Sequence, residues 1–203
     1  MQQMRIVVCG PEPALKETGI TNRPECIVVN TKEEFYDYPG YDAYINFYED
    51  ALSYDYKNLF PVLVNSVIET LPESSEHIYR INGWPGFLQR DTWEISGREN
   101  EKVNSALSTI NKKPIWLKDE PGFVSARVIS MVINEAFFAL EDKVSTREEI
   151  DTAMKLGTGY PFGPFEWAEK IGTEKIAKLL QYLSFTDARY NPSVLLSGHP
   201  VHP

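Results

Sequence analysis

The sequence predicts a chain in two parts, an α/β domain built on a reduced, largely parallel sheet and an all-α domain after it. Three observations carry that reading. Short, continuous β-branched runs alternate with polar segments through the first half of the chain, as strands covered on both faces do. The strand pattern stops at the breaker Pro121-Gly122. Beyond it every regular stretch has helical spacing. The boundary is placed near Lys118, giving domains over 1–117 and 118–203.

In chain order the strand candidates are Arg5–Cys9 (RIVVC), Cys26–Asn30 (CIVVN), Asp42–Tyr48 (DAYINFY) and Asn65–Glu69 (NSVIE). Ile78–Asn82, Thr92–Ser96 and Pro114–Leu117 complete the set. Thr31–Tyr36, Ser53–Val64 and Arg98–Ile110 read as helices between them. Strand and crossover in this order predict a doubly wound sheet. In the second part, Phe123–Leu140 is a long helix, apolar on most of its circumference. Such a helix is central to a core or shared with a second copy, and a homodimer through it is the favoured reading. Ser145 and Glu148 have the spacing of a capping box for a second helix, which stops near Leu156-Gly157. Pro164 suits the first position of a third helix, Pro164–Lys170, closed by Gly172. Thr173 caps a fourth, Glu174–Leu183, and Ser184–Pro203 reads as an extended arm.

Composition narrows the function classes. The 203 residues carry a net charge of −9, against binding to nucleic acid or anionic membrane, which needs a basic face. An acidic ligand in a locally basic pocket stays compatible with that charge. No apolar run approaches the roughly 18 residues of a membrane span, and the first residues lead directly into a strand. Cys9 and Cys26 sit in strand-like runs and read as buried free thiols. His77, His199 and His202 have no zinc-ligand spacing, so no metal is expected. The setting reads as cytoplasmic.

Several segments, taken in order, resemble one known family. They are Lys118-Asp-Glu-Pro-Gly-Phe-Val-Ser-Ala-Arg127, Asn134-Glu-Ala136, the block Ile150–Glu166 (IDTAMKLGTGYPFGPFE), Gly172, and Asn191-Pro-Ser-Val-Leu-Leu196. Together they resemble the C-terminal helical domain of 3-hydroxyacyl-CoA dehydrogenases. The resemblance implies a Rossmann-like N-terminal half, here abbreviated, that holds NAD in active members. It also implies a homodimer, a CoA-ester substrate and a setting in fatty-acid or acyl-CoA metabolism. The same block has an architectural reading, since its glycines and prolines set turns.

Carried residue by residue into the first half, the resemblance meets departures. A dinucleotide turn needs G-x-G-x-x-G after the first strand. Gly10 opens the turn as a remnant, but Glu12 and Leu15 hold the other two positions, and Pro11 and Pro13 remove amides. Asn30 ends the second strand where an acid would hold the ribose. The family's reaction uses a His base oriented by a Glu. The base position falls on Tyr79, or on Arg80 after a one-residue shift, with His77 displaced two residues upstream. Glu94 falls on the acid position, set to pair with Arg80 or Tyr79 in the absence of a His. Ala126 replaces an asparagine of the family pattern. Ser74 (or Ser75), Tyr79, Asn82 and Trp84 are the substrate-cleft candidates, and Arg80, Arg90, Lys112 and Lys113 the scattered basic residues. The resulting expectation is a diverged 3-hydroxyacyl-CoA dehydrogenase-like protein that lacks the standard NAD site and the catalytic His, with no cofactor expected. The alternatives are a working NAD-dependent oxidoreductase with an altered site, or a non-catalytic structural or regulatory subunit.

Overall fold

In the computed structural model, which describes residues 4–73 and 75–198, the β-branched runs of the first half become seven strands. These are β1 (Ile6–Cys9), β2 (Cys26–Val29), β3 (Ala43–Asn46), β4 (Val62–Asn65), β5 (Ile78–Ile81), β6 (Thr92–Ser96) and β7 (Lys113–Leu117). They form one sheet in the order β2-β1-β3-β4-β5-β6-β7. Neighbouring pairs are parallel except β5–β6. The chain runs outward from β1 to β2 and then crosses to β3 on the other side, so the strand order reverses at β1/β3. Two compact units result, one ending at Phe123 and one beginning at Val124.

The first unit buries the sheet on both faces. On one, Ile6, Val8, Ile45, Leu63, Tyr79 and Ile81 pack with Leu15, Val103 and Leu107. The last three come from α1 (Glu12–Thr18) and α2 (Glu101–Thr109). The other face packs Val7, Cys9, Tyr44, Val62 and Val64 against Phe35, Tyr56 and Leu59. Phe35 of a short 3-10 turn at Glu33–Asp37 and Tyr56, just after a second at Ala51–Ser53, do the covering there, where helices would cover a fuller doubly wound sheet. The crossover from β1 to β2 holds the seven-residue α1 and a three-residue 3-10 turn, Ile20–Asn22.

Three elements differ from the sequence reading for visible reasons. The helix expected over Ser53–Val64 is absent, because Pro61 removes an amide and Val62–Val64 fill a fully buried strand. The strand expected over Asn65–Glu69 therefore ends at Asn65, and the Ser66 hydroxyl instead bonds the Glu69 carbonyl at 2.9 Å. Thr31–Tyr36 yields only a 3-10 turn.

The second unit holds α3 (Ser125–Glu141), α4 (Arg147–Thr158), α5 (Pro164–Ile171) and α6 (Thr173–Ser184). The capping box that starts α4 is one residue later than expected, pairing Thr146 with Glu149. The Ser145 hydroxyl donates to the same Glu149 carboxylate that accepts the Thr146 amide, while the Thr146 hydroxyl accepts the Glu149 amide. Among the described residues the tail is not an extended arm. Asn134 of α3 donates to the Asn191 carbonyl at 2.9 Å and accepts from the Ser193 amide at 2.8 Å. The Ser193 hydroxyl and the Leu195 amide both reach Glu141. Ser193 and Leu196 are buried. Prolines hide the periodicity of this segment, and side chains 54 to 59 residues away satisfy its backbone.

Candidate functional site

Open α/β sheets bind ligands beyond the carboxyl ends of their strands, where the strand order reverses. Here that place lies past Cys9 of β1 and Asn46 of β3. Gly10 is buried, and a Cβ built on it would stand 2.6 Å from the Phe47 Cβ. The glycine thus accommodates Phe47, whose amide bonds the Cys9 carbonyl at 2.9 Å. Glu12 lies in the first turn of α1, exposed and paired with Lys16 at 2.6 Å. That hydrogen bond holds its carboxyl below the usual range. Leu15 packs into the core. Two further contacts bridge the ends of β2 and β3. The Tyr48 hydroxyl donates to the Asn30 carbonyl at 3.1 Å, and Lys32 pairs with Asp50 at 2.8 Å while lying over the Tyr54 ring.

Burial pushes the Cys9 thiol up to about 12 and the Cys26 thiol to about 11. Neither is poised as a nucleophile at neutral pH. A thiol whose pKa is raised by folding contributes stability that is full below its unfolded value and lost as pH climbs toward the folded one. For Cys9, from 9.0 to about 12, this amounts to about 4 kcal/mol at 1.36 kcal/mol per unit. Wild-type stability should fall between pH 9 and 12, and Cys9→Ala should flatten that fall, as read from urea midpoints across the range. An unchanged slope in the variant would show that other groups set it.

Along the carboxyl edge of the sheet, β3 and β4 end in asparagines and β5 is followed directly by a third, and all three are buried. Asn46 donates to the Tyr56 hydroxyl at 2.8 Å and accepts from the Tyr48 amide. Asn65 donates to the Phe47 carbonyl and accepts from the Gly83 amide at 3.1 Å. Gly83 must be a glycine, since a Cβ there would lie 2.5 Å from the Asn65 carboxamide. Asn82 donates to Glu94 Oε2 at 2.9 Å and accepts from the Trp84 amide at 3.4 Å. Glu94 thus accepts from Asn82, while Arg80 is held by Asp119 and Tyr79 packs against rings, so neither makes the expected pair.

The other candidates fall elsewhere. Strand alternation turns Tyr79 into the core against Trp116 and Phe60, at 6.0 and 6.5 Å between rings, so it lines no cleft. Burial raises its phenol pKa. Arg80 faces the opposite way, fully buried, and binds Asp119, the Ser66 carbonyl (2.9 Å) and the Val67 carbonyl (3.0 Å) while lying over Phe123. Asp119 also accepts from the Ser96 hydroxyl and the Leu71 amide. His77 precedes β5, whereas Asn82 follows it, so the two lie at opposite ends of one strand. Trp84, Phe87 and Trp93 are buried. Lys112 is buried with its ammonium on the Leu88 and Arg90 carbonyls, and burial lowers its pKa. Ser74 lies outside the described residues, as do His199 and His202. Ala126 is buried in α3. Among the described residues no group of three His, Cys, Asp or Glu is placed to hold a metal, and no helix is long and apolar enough to cross a membrane.

In the second unit the block Ile150–Glu166 resolves into a joint between α4 and α5. Asp151 accepts the Phe165 and Glu166 amides, capping α5 from a neighbouring helix. Gly163 lies directly against the Asp151 side chain and leaves no room for a Cβ. Glu166 accepts the Gly163 amide at 2.8 Å and pairs with Lys155. An open groove of about 610 Å³ beside this joint is lined by Lys155, Pro161, Phe162, Glu166, Glu169 and Lys170. Its two lysines face two glutamates, so it has no net charge to attract an anion.

The chain thus combines a doubly wound sheet, a helical unit and an acid–amide pair at the carboxyl edge of the sheet. Residues 122–199 match the model of the 3-hydroxyacyl-CoA dehydrogenase C-terminal domain. The chain is 40% identical over 92 residues to a 3-hydroxyadipyl-CoA dehydrogenase of Escherichia coli, covering 44% of this chain and 19% of that protein. It is 36% identical over 110 residues to a 3-hydroxybutyryl-CoA dehydrogenase of Clostridioides difficile, covering 51% and 39%. The matched stretches thus span well under half of those curated relatives. The crystal structure of an (S)-3-hydroxybutyryl-CoA dehydrogenase from Ralstonia eutropha superposes with a TM-score of 0.69 over 96% of this chain and 93% of that one. At 17% identity that likeness is one of fold. The likeness to the 3-hydroxyacyl-CoA dehydrogenase family thus lies in the C-terminal unit, over residues 122–199.

Proposed function

We propose that the chain is a diverged 3-hydroxyacyl-CoA dehydrogenase-like protein of acyl-CoA metabolism that no longer carries out NAD-dependent hydride transfer. The observation that carries this reading is Phe47 packed against Gly10, where a dinucleotide turn needs open backbone. At Glu94, which falls on the acid position of the family pattern, one group held is the carboxamide of Asn82. A carboxamide donates and accepts hydrogen bonds but takes no proton near neutral pH, so it cannot serve as a general base.

The ends of β1 to β3 support the same reading, because their residues do not fit a dinucleotide. Phe47 fills the ground against Gly10, the Glu12 carboxylate stands at the start of α1, and Tyr48 and Lys32 tie the flanking loops together. A pyrophosphate needs backbone amides and a positive helix end in that place. Retained binding of a CoA ester or other small acid is proposed from the family alone. A homodimer through α3 is proposed from its sequence and from the exposed or half-exposed apolar side chains Val124, Val128, Met131 and Phe138 along one stripe.

Calorimetric titration of the full chain tests the reading, with sedimentation of the same sample reporting its assembly. NADH should give no saturable heat at concentrations that saturate an active dehydrogenase, and saturable NADH binding would overturn the proposal. Saturation by acetoacetyl-CoA alone would identify a retained CoA-ester site. A monomer in sedimentation would remove the dimer.

A further inference from the structure

The loop between β5 and β6 carries Trp84 and follows directly on Asn82. Its backbone has two polar edges, and each meets one buried or half-buried charge. On one edge the amides of Gly86, Leu88 and Gln89 converge on a single oxygen, Glu17 Oε1, at 2.7, 3.0 and 3.3 Å. On the other, Lys112 Nζ donates to the carbonyls of Leu88 at 2.9 Å and Arg90 at 2.8 Å. Gly86 has φ +92°, a backbone state that L side chains rarely adopt. That turn sets its amide on the same side as those of Leu88 and Gln89. Successive amides aimed at one point form a concavity that binds carboxylate or phosphate oxygens.

Glu17 reaches this concavity from the last turns of α1, 69 residues from Gly86 in sequence. The loop's own carboxylate, Asp91, is not the group on these amides, and without Glu17 three amides would point at the same place with no acceptor. We propose that the β5–β6 loop is an anion-binding nest whose ligand is supplied in cis by Glu17, and that the order of the loop depends on an anion being there. Glu17 is then a positioning residue. It holds the loop that sets Asn82 and Trp84, acting through the backbone of Gly86–Gln89. Because Glu17 is half-buried, a small carboxylate from solvent can take its place once the side chain is cut back. The proposal is independent of whether the chain binds NADH or a CoA ester.

Amide hydrogen exchange of the full chain, read at Gly86, Leu88 and Gln89, provides the test. Glu17→Ala should speed exchange at these amides about 10- to 100-fold, as expected for losing hydrogen bonds to a charged group. The β1 amides should keep their protection. Added acetate should restore protection in Glu17→Ala, and chloride at the same ionic strength should not. Glu17→Gln keeps a neutral oxygen in place and should show a smaller acceleration, which keeps the test available if the alanine variant folds poorly. Unchanged exchange in both variants would overturn the proposal. So would accelerated exchange that acetate fails to reverse, because the nest would then have no capacity for an exogenous anion.

Discussion

Replacing Asp119 with alanine is expected to destabilise the first unit by about 3–5 kcal/mol, the usual cost of stripping a buried charge of its partner. Arg80 is fully buried, and Asp119 is the carboxylate on its guanidinium. Burial already lowers the Arg80 pKa, and Asp119 opposes that shift. Asp119 also anchors the Leu71 amide and the Ser96 hydroxyl, so its loss would release the segment after β4 together with the end of β6. Urea unfolding of Asp119→Ala should show a large fall in midpoint. The double replacement Arg80→Met with Asp119→Ala should recover part of it, because no charge is then left uncompensated. A loss under about 1 kcal/mol in the single variant would mean that water reaches Arg80 and that the pair is not structural.

In the second unit the largest effect is expected at the joint between α4 and α5. Asp151→Ala removes both acceptors for the first amides of α5 and should cost about 2–4 kcal/mol. Gly163→Ala puts a methyl group into the Asp151 side chain and should cost about 1–3 kcal/mol through strain. The two should not add. Cutting Asp151 to alanine removes the Oδ1 and Cγ that the added methyl group would strike and leaves only the Cβ, so the double variant should be more stable than the sum of the singles implies. Strict additivity in a double-mutant cycle would contradict the contact. This joint also gives a physical reason for the pattern of Ile150–Glu166: the spacing from Asp151 to Gly163, Phe165 and Glu166 is what lets one helix cap the next.

How much of this is legible in the sequence depends on whether a feature is local. The strands β1, β2, β5 and β6 announce themselves by β-branched runs, and the helices of the second unit by caps and spacing. Even the asparagines that end β3 and β4 and follow β5 are visible as a repeated pattern in AYIN, VLVN and YRIN. Their roles are not visible, because each carboxamide bonds groups set by the neighbouring strand's register. The β4 boundary is hidden because Pro61 sits inside a helix-like pattern and only burial on both faces makes Val62–Asn65 a strand. The surroundings of Tyr79 and Arg80 are hidden for a related reason. Alternation along β5 sends those side chains to opposite cores, and the residue that reaches Glu94 is the one just past the strand, Asn82. Glu17 carries no signal of its own, since its partners lie 69 to 72 residues away.

The central claim is that the family's scaffold persists here without its hydride-transfer chemistry. It is tested most directly by turnover of acetoacetyl-CoA with NADH by the full chain, followed as loss of NADH absorbance. The account predicts no rate above the uncatalysed background. Turnover that disappears in Glu94→Gln and in Asn82→Ala would contradict it, because that would make the acid–amide pair a working catalytic site.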